Sequence, residues 1–343
     1  MLLPILSMNA RLRAPGFTLA LAGTLLLGAC GSGAPAPSTA AGVPVAPAAP
    51  ATSSLGDFPD PFVLADGGGW YAYATNASGR HVQAAHSTDL RAWKPLPDAM
   101  PTLASWVRQD RPDVWAPEVV MLGERYVLYY TAREHASGKQ CIGAAVATAP
   151  GGPFRDPAGV PLVCQRAEGG TIDASPLAAD GRLYLYFKND GNCCGMPTHL
   201  YAQELSADGL ALKGAPVPLL RNQRGWEGGV VEAPSMYLHQ GRHLLFYSAN
   251  DYGGSAYAVG YVSCAGPMGP CQAGAEAPLL HSRGNLIGPG HQHLFDAGGQ
   301  TWIAYHAWEQ LAGGAKGDRR FMYIDKLDWV DGAPLVRGPT MVP

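Results

Sequence analysis

The chain has 343 residues, of which 15% are charged, and its formal net charge is −3. Because a phosphate backbone calls for a basic surface, this balance argues against nucleic acid as the main partner. The hydrophobic content of 47% excludes a largely disordered chain, and 44 glycines with 30 prolines indicate many turns.

The N-terminus is typical of an export signal. Arg11 and Arg13 precede an apolar or small-residue stretch from Phe17 to Ala29, which is too short to cross a bilayer as a helix. The stretch ends Leu27-Gly28-Ala29-Cys30, which resembles the lipobox of bacterial lipoproteins. We therefore predict a signal peptide at residues 1–29 and a lipid anchor on the cysteine that follows. Ordinary signal cleavage beside a chance cysteine is the alternative.

A tether is predicted between the signal and the folded domain. Residues 31–54 are almost wholly Ala, Pro, Gly, Ser and Thr, with little to bury. We assign residues 30–55 to a lipidated cysteine and linker, and residues 56–343 to one globular domain. Met8 is an alternative start, since residues 1–7 add nothing that the signal needs.

Six cysteines remain when Cys30 is set aside, and an even number in an exported protein predicts disulfides. Cys264 and Cys271 flank a turn rich in Gly and Pro and are the best candidate pair. The adjacent Cys193 and Cys194 would form a bridge between neighbours or pair elsewhere. A metal–thiolate site is the alternative for the six, although their spacing is not that of paired zinc ligands. The other two are Cys141 and Cys164.

Five segments of the chain share one pattern, a turn followed by an aromatic-rich strand. They are Gly69–Thr75, Arg125–Thr131, Arg182–Lys188, Arg242–Ser248 and Gln300–His306. Their ends are spaced by 56, 57, 60 and 58 residues. A near-constant period with several short strands per repeat predicts an all-β chain folded as a five-bladed β-propeller. A β-sandwich with accidental spacing is the alternative.

The repeat phase predicts a site. Five residues lie 15 or 16 positions before the five strand ends, namely Asp60, Trp115, Asp173, Glu232 and His291. Equal phase means equal place in a blade, so these side chains should converge at the mouth of the central channel. Buried acids are unfavourable unless they are paired or used. Glycoside hydrolysis uses one carboxyl as acid and one as base, and a third can raise the pKa of the acid and orient it.

Other reaction classes lack their signatures. The chain has no GxxxxGK[ST] loop for phosphoryl transfer and no GxSxG elbow for a serine hydrolase. A sugar-binding propeller without catalysis would repeat one binding motif in each blade. Here the five in-phase residues differ, which favours a single central site. Trp115 is expected to form a wall of the sugar subsite, because sugar faces pack on aromatic rings.

Four blocks resemble glycoside hydrolase family 43 when taken together and in order. They are Asp57-Phe58-Pro59-Asp60-Pro61, Trp115-Ala116-Pro117-Glu118, Thr171-Ile172-Asp173-Ala174-Ser175 and Val231-Glu232-Ala233-Pro234. The resemblance covers about residues 56–338. It implies a five-bladed propeller and an inverting enzyme on arabinan, arabinoxylan or xylan. It also implies Asp60 as general base, Asp173 as pKa modulator and Glu232 as general acid.

The sequence departs from the common family pattern at three places. Glu118 stands where many members have Asp, Ala233 where many have Gly, and Ala174 where Pro is frequent. None of these removes a catalytic carboxyl, so they bear on substrate class. Asp57 and Glu227 lie off phase and are interpreted as turn or supporting groups.

His291 resembles the axial histidine near which arabinan-active members hold a hydrated cation. It is therefore expected to bind substrate and, through water, a cation such as Ca²⁺, with a histidine hydrogen-bonded in the channel without metal as the alternative. No cofactor is otherwise required.

The predicted activity is inverting hydrolysis of α-L-arabinofuranosyl linkages in plant arabinan or arabinoxylan, in exo mode. Endo-arabinanase and β-xylosidase activities on the same scaffold are the alternatives. We expect a monomeric cell-envelope lipoprotein that contacts the membrane only through its lipid.

The lipid anchor gives the first testable prediction. Cys30→Ser should release the protein from membranes and leave the domain folded, because the lipid-bearing residue lies outside it. Membrane fractionation with circular dichroism of the released protein measures both effects. Membrane association that persists in this variant would rule out anchoring through Cys30.

Overall fold

The computed structural model describes residues 54–339. The predicted signal peptide at 1–29, the lipid-bearing Cys30 and the tether as far as residue 53 lie outside the described residues. Residues 54–339 belong to one compact unit. Within this range no helix has both the length and the apolar character needed to cross a membrane.

The described chain folds into five antiparallel sheets, each made of consecutive strands. The first sheet contains β1 (Phe62–Asp66), β2 (Gly69–Ala74), β3 (Gln83–Ser87) and β4 (Lys94–Pro95). The second contains β5 (Trp115–Leu122), β6 (Arg125–Arg133) and β7 (Gln140–Ala147). The third contains β8 (Thr171–Ala179), β9 (Arg182–Asn189), β10 (His199–Leu205) and β11 (Leu212–Arg221).

The fourth sheet contains β12 (Val231–His239), β13 (Arg242–Ala249) and β14 (Ala258–Cys264). The fifth contains β15 (Ile287–Ala297), β16 (Gln300–Gln310), β17 (Lys316–Val330) and β18 (Ala333–Arg337). Short 3₁₀ helices lie at Arg166–Glu168, Gly191–Cys194, Gly225–Glu227 and Ala312–Gly314. The prediction of an all-β five-bladed propeller is confirmed, with one sheet for each predicted repeat.

The aromatic-rich strands form the centre of each blade, and both of their faces are buried. Successive side chains of a strand point to opposite faces. In β13, Leu244 and Phe246 therefore pack against the fifth blade, whereas Leu245 and Tyr247 pack against the third. The described residues contain one such hydrophobic cluster between each pair of neighbouring blades. This packing explains why the repeated strands lack the polar alternation of a sheet with one solvated face.

The first strands of neighbouring blades contact one another and surround the axis. There, a polar side chain at the end of each second strand engages the next blade. In four blades this side chain accepts a hydrogen bond from a backbone N–H of the next blade. The accepting side chains and the residues that donate are Thr75 from Ala116, Thr131 from Asp173, Ser248 from His291, and His306 from Asp60. In the third blade Lys188 has no acceptor atom, so its Nζ donates to the Glu232 carboxylate of the fourth blade instead.

The ring closes without a strand shared between the first and last sheets. The amide of Phe58 donates to the carbonyl of Arg320 at 2.8 Å. The amide of Arg320 donates to Oδ1 of Asp57 at 2.7 Å. Asp57 therefore joins the two ends of the propeller, which agrees with its interpretation as a supporting group.

The six cysteines of the domain form three disulfides. The predicted Cys264–Cys271 pair is confirmed, the adjacent Cys193 and Cys194 are joined to each other, and Cys141 is joined to Cys164. These six residues therefore offer no free thiolate for the metal–thiolate alternative.

The interblade hydrogen bonds give a stability prediction. Ser248 Oγ accepts the amide of His291 at 2.8 Å and donates to the Gln292 side chain at 2.8 Å, and all three groups are buried. Ser248→Ala would leave the His291 amide and the Gln292 side chain without this hydrogen-bond partner. The free energy of unfolding, measured by urea denaturation, should therefore fall by about 1–3 kcal/mol. Ser105 is exposed, and Ser105→Ala should change stability by less than about 0.5 kcal/mol. Equal free energies of unfolding for the two variants would contradict the conclusion that the hydrogen bonds of Ser248 between blades stabilise the fold.

Candidate active site

A strained backbone position recurs once per blade at the axis. Asp60, Ala116, Asp173, Ala233 and His291 all have positive φ, between 45° and 60°. Each lies 15 residues before the polar residue that ends the second strand of its blade, which is Thr75, Thr131, Lys188, Ser248 or His306. In four of the blades the strand register shifts at this point, as in a β-bulge. Non-glycine residues with positive φ are uncommon and cluster at functional sites, where bulges redirect side chains.

This backbone phase refines the prediction from the sequence. Asp60, Asp173 and His291 occupy the strained position itself. Trp115 and Glu232 each precede it by one residue, and they pair across the sheet with Thr131 and Ser248. The alanines that follow them therefore take the strained position in the second and fourth blades. Trp115 and Glu232 lie 16 residues before their strand ends, whereas the other three lie 15 residues before theirs. This difference corresponds to a different backbone position, from which these two side chains enter the channel.

One cavity of about 310 Å³ brings all five predicted residues together. Asp60, Trp115, Asp173, Glu232 and His291 all line it. They come from the five different blades, and all except the half-buried Trp115 are buried. Sequence reasoning missed other residues of the lining, which include Thr75, Cys193, Tyr252, Tyr257 and Arg320.

Asp60 is surrounded by donors. Its Oδ2 accepts the Thr75 hydroxyl at 2.5 Å, and its Oδ1 accepts Nη1 of Arg320 at 3.0 Å. Nδ1 of His291 lies 3.4 Å from the same Oδ1. Burial raises the pKa of Asp60, but the Arg320 guanidinium, with a smaller contribution from His291, outweighs burial and holds that pKa well below its usual value. Asp60 is therefore ionised at any pH at which the protein is expected to work.

Glu232 is held by a buried cation on the other side of the cavity. Its Oε2 accepts Nζ of Lys188 at 2.9 Å, and its Oε1 accepts the Tyr257 hydroxyl at 2.7 Å. The Lys188 side chain is fully buried. Burial raises the pKa of Glu232, but the Lys188 ammonium and the hydrogen bond from Tyr257 lower it further than burial raises it.

Asp173 titrates in the opposite direction from Glu232. Its Oδ2 accepts the amide of Ala233 at 2.9 Å. Burial raises the pKa of Asp173, and the negative charge of Glu232 raises it further. Two neighbouring carboxyls thus face one buried ammonium and their pKa values shift in opposite directions, so Asp173 holds a proton more tightly than Glu232 does.

Glu118 lies behind this pair. It is buried, and burial with the nearby charge of Asp173 raises its pKa well above the usual value. Its Oε2 has no hydrogen-bond partner among the described residues. It does not line the cavity, and the cavity residue whose charge reaches it is Asp173.

His306 completes the surroundings of Asp60. Its Nδ1 accepts the amide of Asp60 at 3.1 Å, which requires an unprotonated nitrogen. Burial lowers the pKa of His306 to about 4, so the ring is neutral near pH 7. His306 therefore holds the backbone of Asp60 and does not contribute a positive charge.

The expected cation near His291 was tested against the residues present. Around this histidine, the described residues offer no set of three imidazole, thiolate or carboxylate groups that could ligate an ion directly. The Arg320 guanidinium also lies beside Asp60, where it opposes a second positive charge. The residues therefore fit a directly bound cation poorly, and the cation held through water that the sequence predicts beside His291 stays a prediction.

Glu227 lies outside the cavity, in agreement with its interpretation as a supporting group. Its carboxylate accepts the amide of Arg224 at 2.7 Å and the hydroxyl of Tyr247 at 2.5 Å. It fixes the turn that leads into β12, and hence the entry of Glu232 into the channel.

Some of the missed residues had a signal in the sequence. Thr75, Lys188 and His306 are polar residues that end otherwise apolar strands at a fixed phase. Arg320 and Tyr257 had none, because they follow no repeat and reach the channel through the path of β17 and of the loop before β14. The assembled cavity has an ionised carboxylate on one side and a protonatable pair of carboxyls on the other.

Comparison with known proteins places this arrangement in a family. The sequence profile of Glycosyl hydrolases family 43 matches residues 54–334. The chain is 24% identical over 286 residues to a "Probable arabinan endo-1,5-alpha-L-arabinosidase A" of Aspergillus clavatus, covering 77% of this chain and 86% of that protein. It is also 24% identical over 290 residues to an "Extracellular endo-alpha-(1->5)-L-arabinanase 1" of Bacillus subtilis, covering 80% and 86%.

The fold is similar to solved structures. A thermostable family-43 glycoside hydrolase is 30% identical in sequence and superposes with a TM-score of 0.75. The alignment covers 85% of this chain and 96% of that one. The fold is thus shared over nearly the whole length of that protein.

Proposed function

Because the chain belongs to glycosyl hydrolase family 43 and is a glycoside hydrolase, we propose that it cleaves α-L-arabinofuranosyl linkages of plant cell-wall arabinan or arabinoxylan in exo mode. The observation that carries this proposal is the central cavity, in which an ionised Asp60 faces the Asp173–Glu232 pair. The two curated relatives are named as arabinan-cleaving enzymes, which supports the choice of arabinofuranosyl substrates.

Asp60 is the general base of this proposal. Its low pKa and its hydrogen bonds from Thr75 and Arg320 keep it ionised and fixed in direction. It takes a proton from one water molecule, whose oxygen attacks the anomeric carbon. The bond from that carbon to the glycosidic oxygen breaks as the new bond forms, which inverts the anomeric configuration.

Glu232 is the general acid, and it delivers its proton to the departing glycosidic oxygen. In the free protein the proton of the pair favours Asp173, so Glu232 must acquire it when the sugar enters. A bound sugar excludes water from the cavity, and desolvation raises the pKa of a buried carboxyl. Asp173 is thus the residue that sets the protonation of Glu232, while Lys188 and Tyr257 set its orientation.

The dimensions of the cavity support the exo mode. Its volume of about 310 Å³ is at the lower end of the range of roughly 300–1,000 Å³ found for small-molecule sites. Such a space suits one terminal sugar better than a segment of polymer. Trp115 forms an apolar wall for the sugar ring, and His291 offers an imidazole to its hydroxyls.

Endo cleavage is the second candidate, because both curated relatives carry "endo" in their names. In that mode the polymer would continue past the cavity in both directions. The size of the first products separates the two modes.

We also propose that the protein is exported and anchored through lipid on Cys30. The Bacillus subtilis relative is named as extracellular, which supports export. Three disulfides in the domain fit an oxidising compartment.

The proposed activity predicts both a substrate and a product configuration. The protein should hydrolyse nitrophenyl α-L-arabinofuranoside, and debranched arabinan should yield free arabinose from the start of the reaction. Because one water attacks opposite the leaving group, the first-formed arabinose should be the β anomer. Proton NMR of the early product, before mutarotation, measures this.

Three outcomes would count against this prediction. A ladder of arabino-oligosaccharides as first products would establish the endo mode instead. Cleavage of nitrophenyl β-xyloside alone would replace the substrate class. An α anomer in the early product would mean that the water-activating residue has been misplaced.

The acid predicts a dependence on the leaving group. Glu232→Ala should lower kcat by about 10²–10⁴-fold on arabino-oligosaccharides, whose departing oxygen needs a proton. Nitrophenolate leaves without protonation, so the loss on the nitrophenyl furanoside should be far smaller. Glu124 is exposed in the β5–β6 turn, and Glu124→Ala should leave both rates unchanged. Equal losses on the two substrates would remove Glu232 from the acid role.

A further inference from the structure

A fourth carboxyl group lines the cavity, and the mechanism above does not use it. Asp190 lies two residues after Lys188 and directly precedes the 3₁₀ helix Gly191–Cys194. Asn192 and Cys193 of that helix line the cavity beside it. The helix with its Cys193–Cys194 bridge therefore forms one wall of the site, on the side of Asp173 and Glu232.

The backbone of Asp190 is fixed from both sides. Its amide donates to the carbonyl of Gly170 at 3.0 Å. The preceding Asn189 donates from Nδ2 to the carbonyl of Pro197 at 3.0 Å and accepts the amide of His199 at 2.7 Å. A Cβ atom on Gly169 would lie 2.4 Å from the carbonyl oxygen of Asp190, so only glycine permits this close approach.

The side chain of Asp190, by contrast, has no partner. The residue is 7% exposed, yet no hydrogen bond or ion pair to its carboxyl occurs within residues 54–339. A buried carboxylate without partners is unfavourable, and such groups are typical of functional sites. Because Asp190 lines the cavity, its carboxyl is available to a molecule bound there.

Four charged groups act on the carboxyl of Asp190. Lys188 and Lys139 attract its negative charge, and Asp173 and Glu232 repel it. Burial is the largest influence and, with the two acids, it raises the pKa of Asp190 to about 6. The group is therefore an anion above that pH and a neutral acid below it.

We propose that Asp190 is a substrate-binding residue whose free carboxylate accepts hydrogen bonds from hydroxyl groups of the sugar that is cleaved. Two carboxylate oxygens can accept from two neighbouring hydroxyls of one ring, which fixes its orientation between Asp60 and Glu232. The proposal rests on the proposed function, since it needs a sugar in the cavity. The competing explanation is that Asp190 acts only through its charge on Asp173 and Glu232.

The test compares Asp190→Ala and Asp190→Asn with the wild type on nitrophenyl α-L-arabinofuranoside. The alanine variant should raise KM by about 10- to 100-fold, the factor that a lost hydrogen bond to a charged group represents. The value of kcat should change by less than about threefold. Asp180 lies exposed in the β8–β9 turn of the same blade, so Asp180→Asn serves as the matched control and should change neither constant.

Two further measurements distinguish binding from an effect on the acids. In the wild type, KM should rise as the pH falls through about 6, and in Asp190→Asn it should not, because the amide does not titrate. Calorimetry with arabinobiose on the inactive Asp60→Ala background should show the same loss of affinity when Asp190→Ala is added. A loss confined to kcat, with KM and calorimetric affinity unchanged, would overturn the proposal.

Failure of the proposed function has a different signature. If the wild type hydrolyses only a xyloside, the arabinofuranosyl assignment fails, and the Asp190 measurements are made with that xyloside and with xylobiose. A KM and an affinity that Asp190→Ala leaves unchanged on the substrate that the wild type does cleave would overturn the assignment of Asp190.

Discussion

The structure depends on one repeated hydrogen bond at the axis, made by a polar side chain that ends the second strand of a blade. In four blades that side chain accepts a backbone N–H from the next blade, at or next to the residue with positive φ. The bond both joins the blades and holds a backbone that would otherwise relax. The amide of Asp60 is the donor that closes the last blade on the first, so the closure of the ring and the position of this cavity carboxyl depend on the same hydrogen bond.

The third blade departs from this pattern, and the departure brings a buried ammonium to Glu232 on one side of the cavity. Lys188 ends its strand where the other blades have a hydroxyl or an imidazole, and its ammonium reaches the Glu232 carboxylate of the next blade. A fully buried ammonium is tolerated because three carboxyl groups, those of Asp173, Asp190 and Glu232, lie around it. Arg320 plays the corresponding part for Asp60. A buried ammonium and a partly exposed guanidinium, on different blades, thus shift the pKa values of the carboxyls on the two sides of the cavity separately.

Much of this could be predicted from the sequence because a propeller is periodic. The spacing of five aromatic-rich strands predicted the blade count, and counting back by 15 or 16 residues brought Asp60, Asp173, Glu232, Trp115 and His291 to one cavity. Arg320 and Tyr257 were not recognised as parts of the cavity, since they lie outside the repeated phase. Arg320 is 260 residues from Asp60, and only ring closure brings them together. The pairing of the cysteines was likewise open, because loop packing decides it.

The sequence by itself therefore determined the architecture, the number of blades and the five side chains that converge, because each follows from a local pattern repeated at a fixed period. The tertiary structure alone decided the direction in which the pKa of each cavity carboxyl shifts. That direction depends on burial and on the positions of Lys188, Arg320 and His291, because electrostatic interactions act over distances of a few ångströms between residues far apart in the chain. It also decided that Asp190 has no partner within the described fold, since a carboxyl group in a sequence carries no sign of whether another group will reach it.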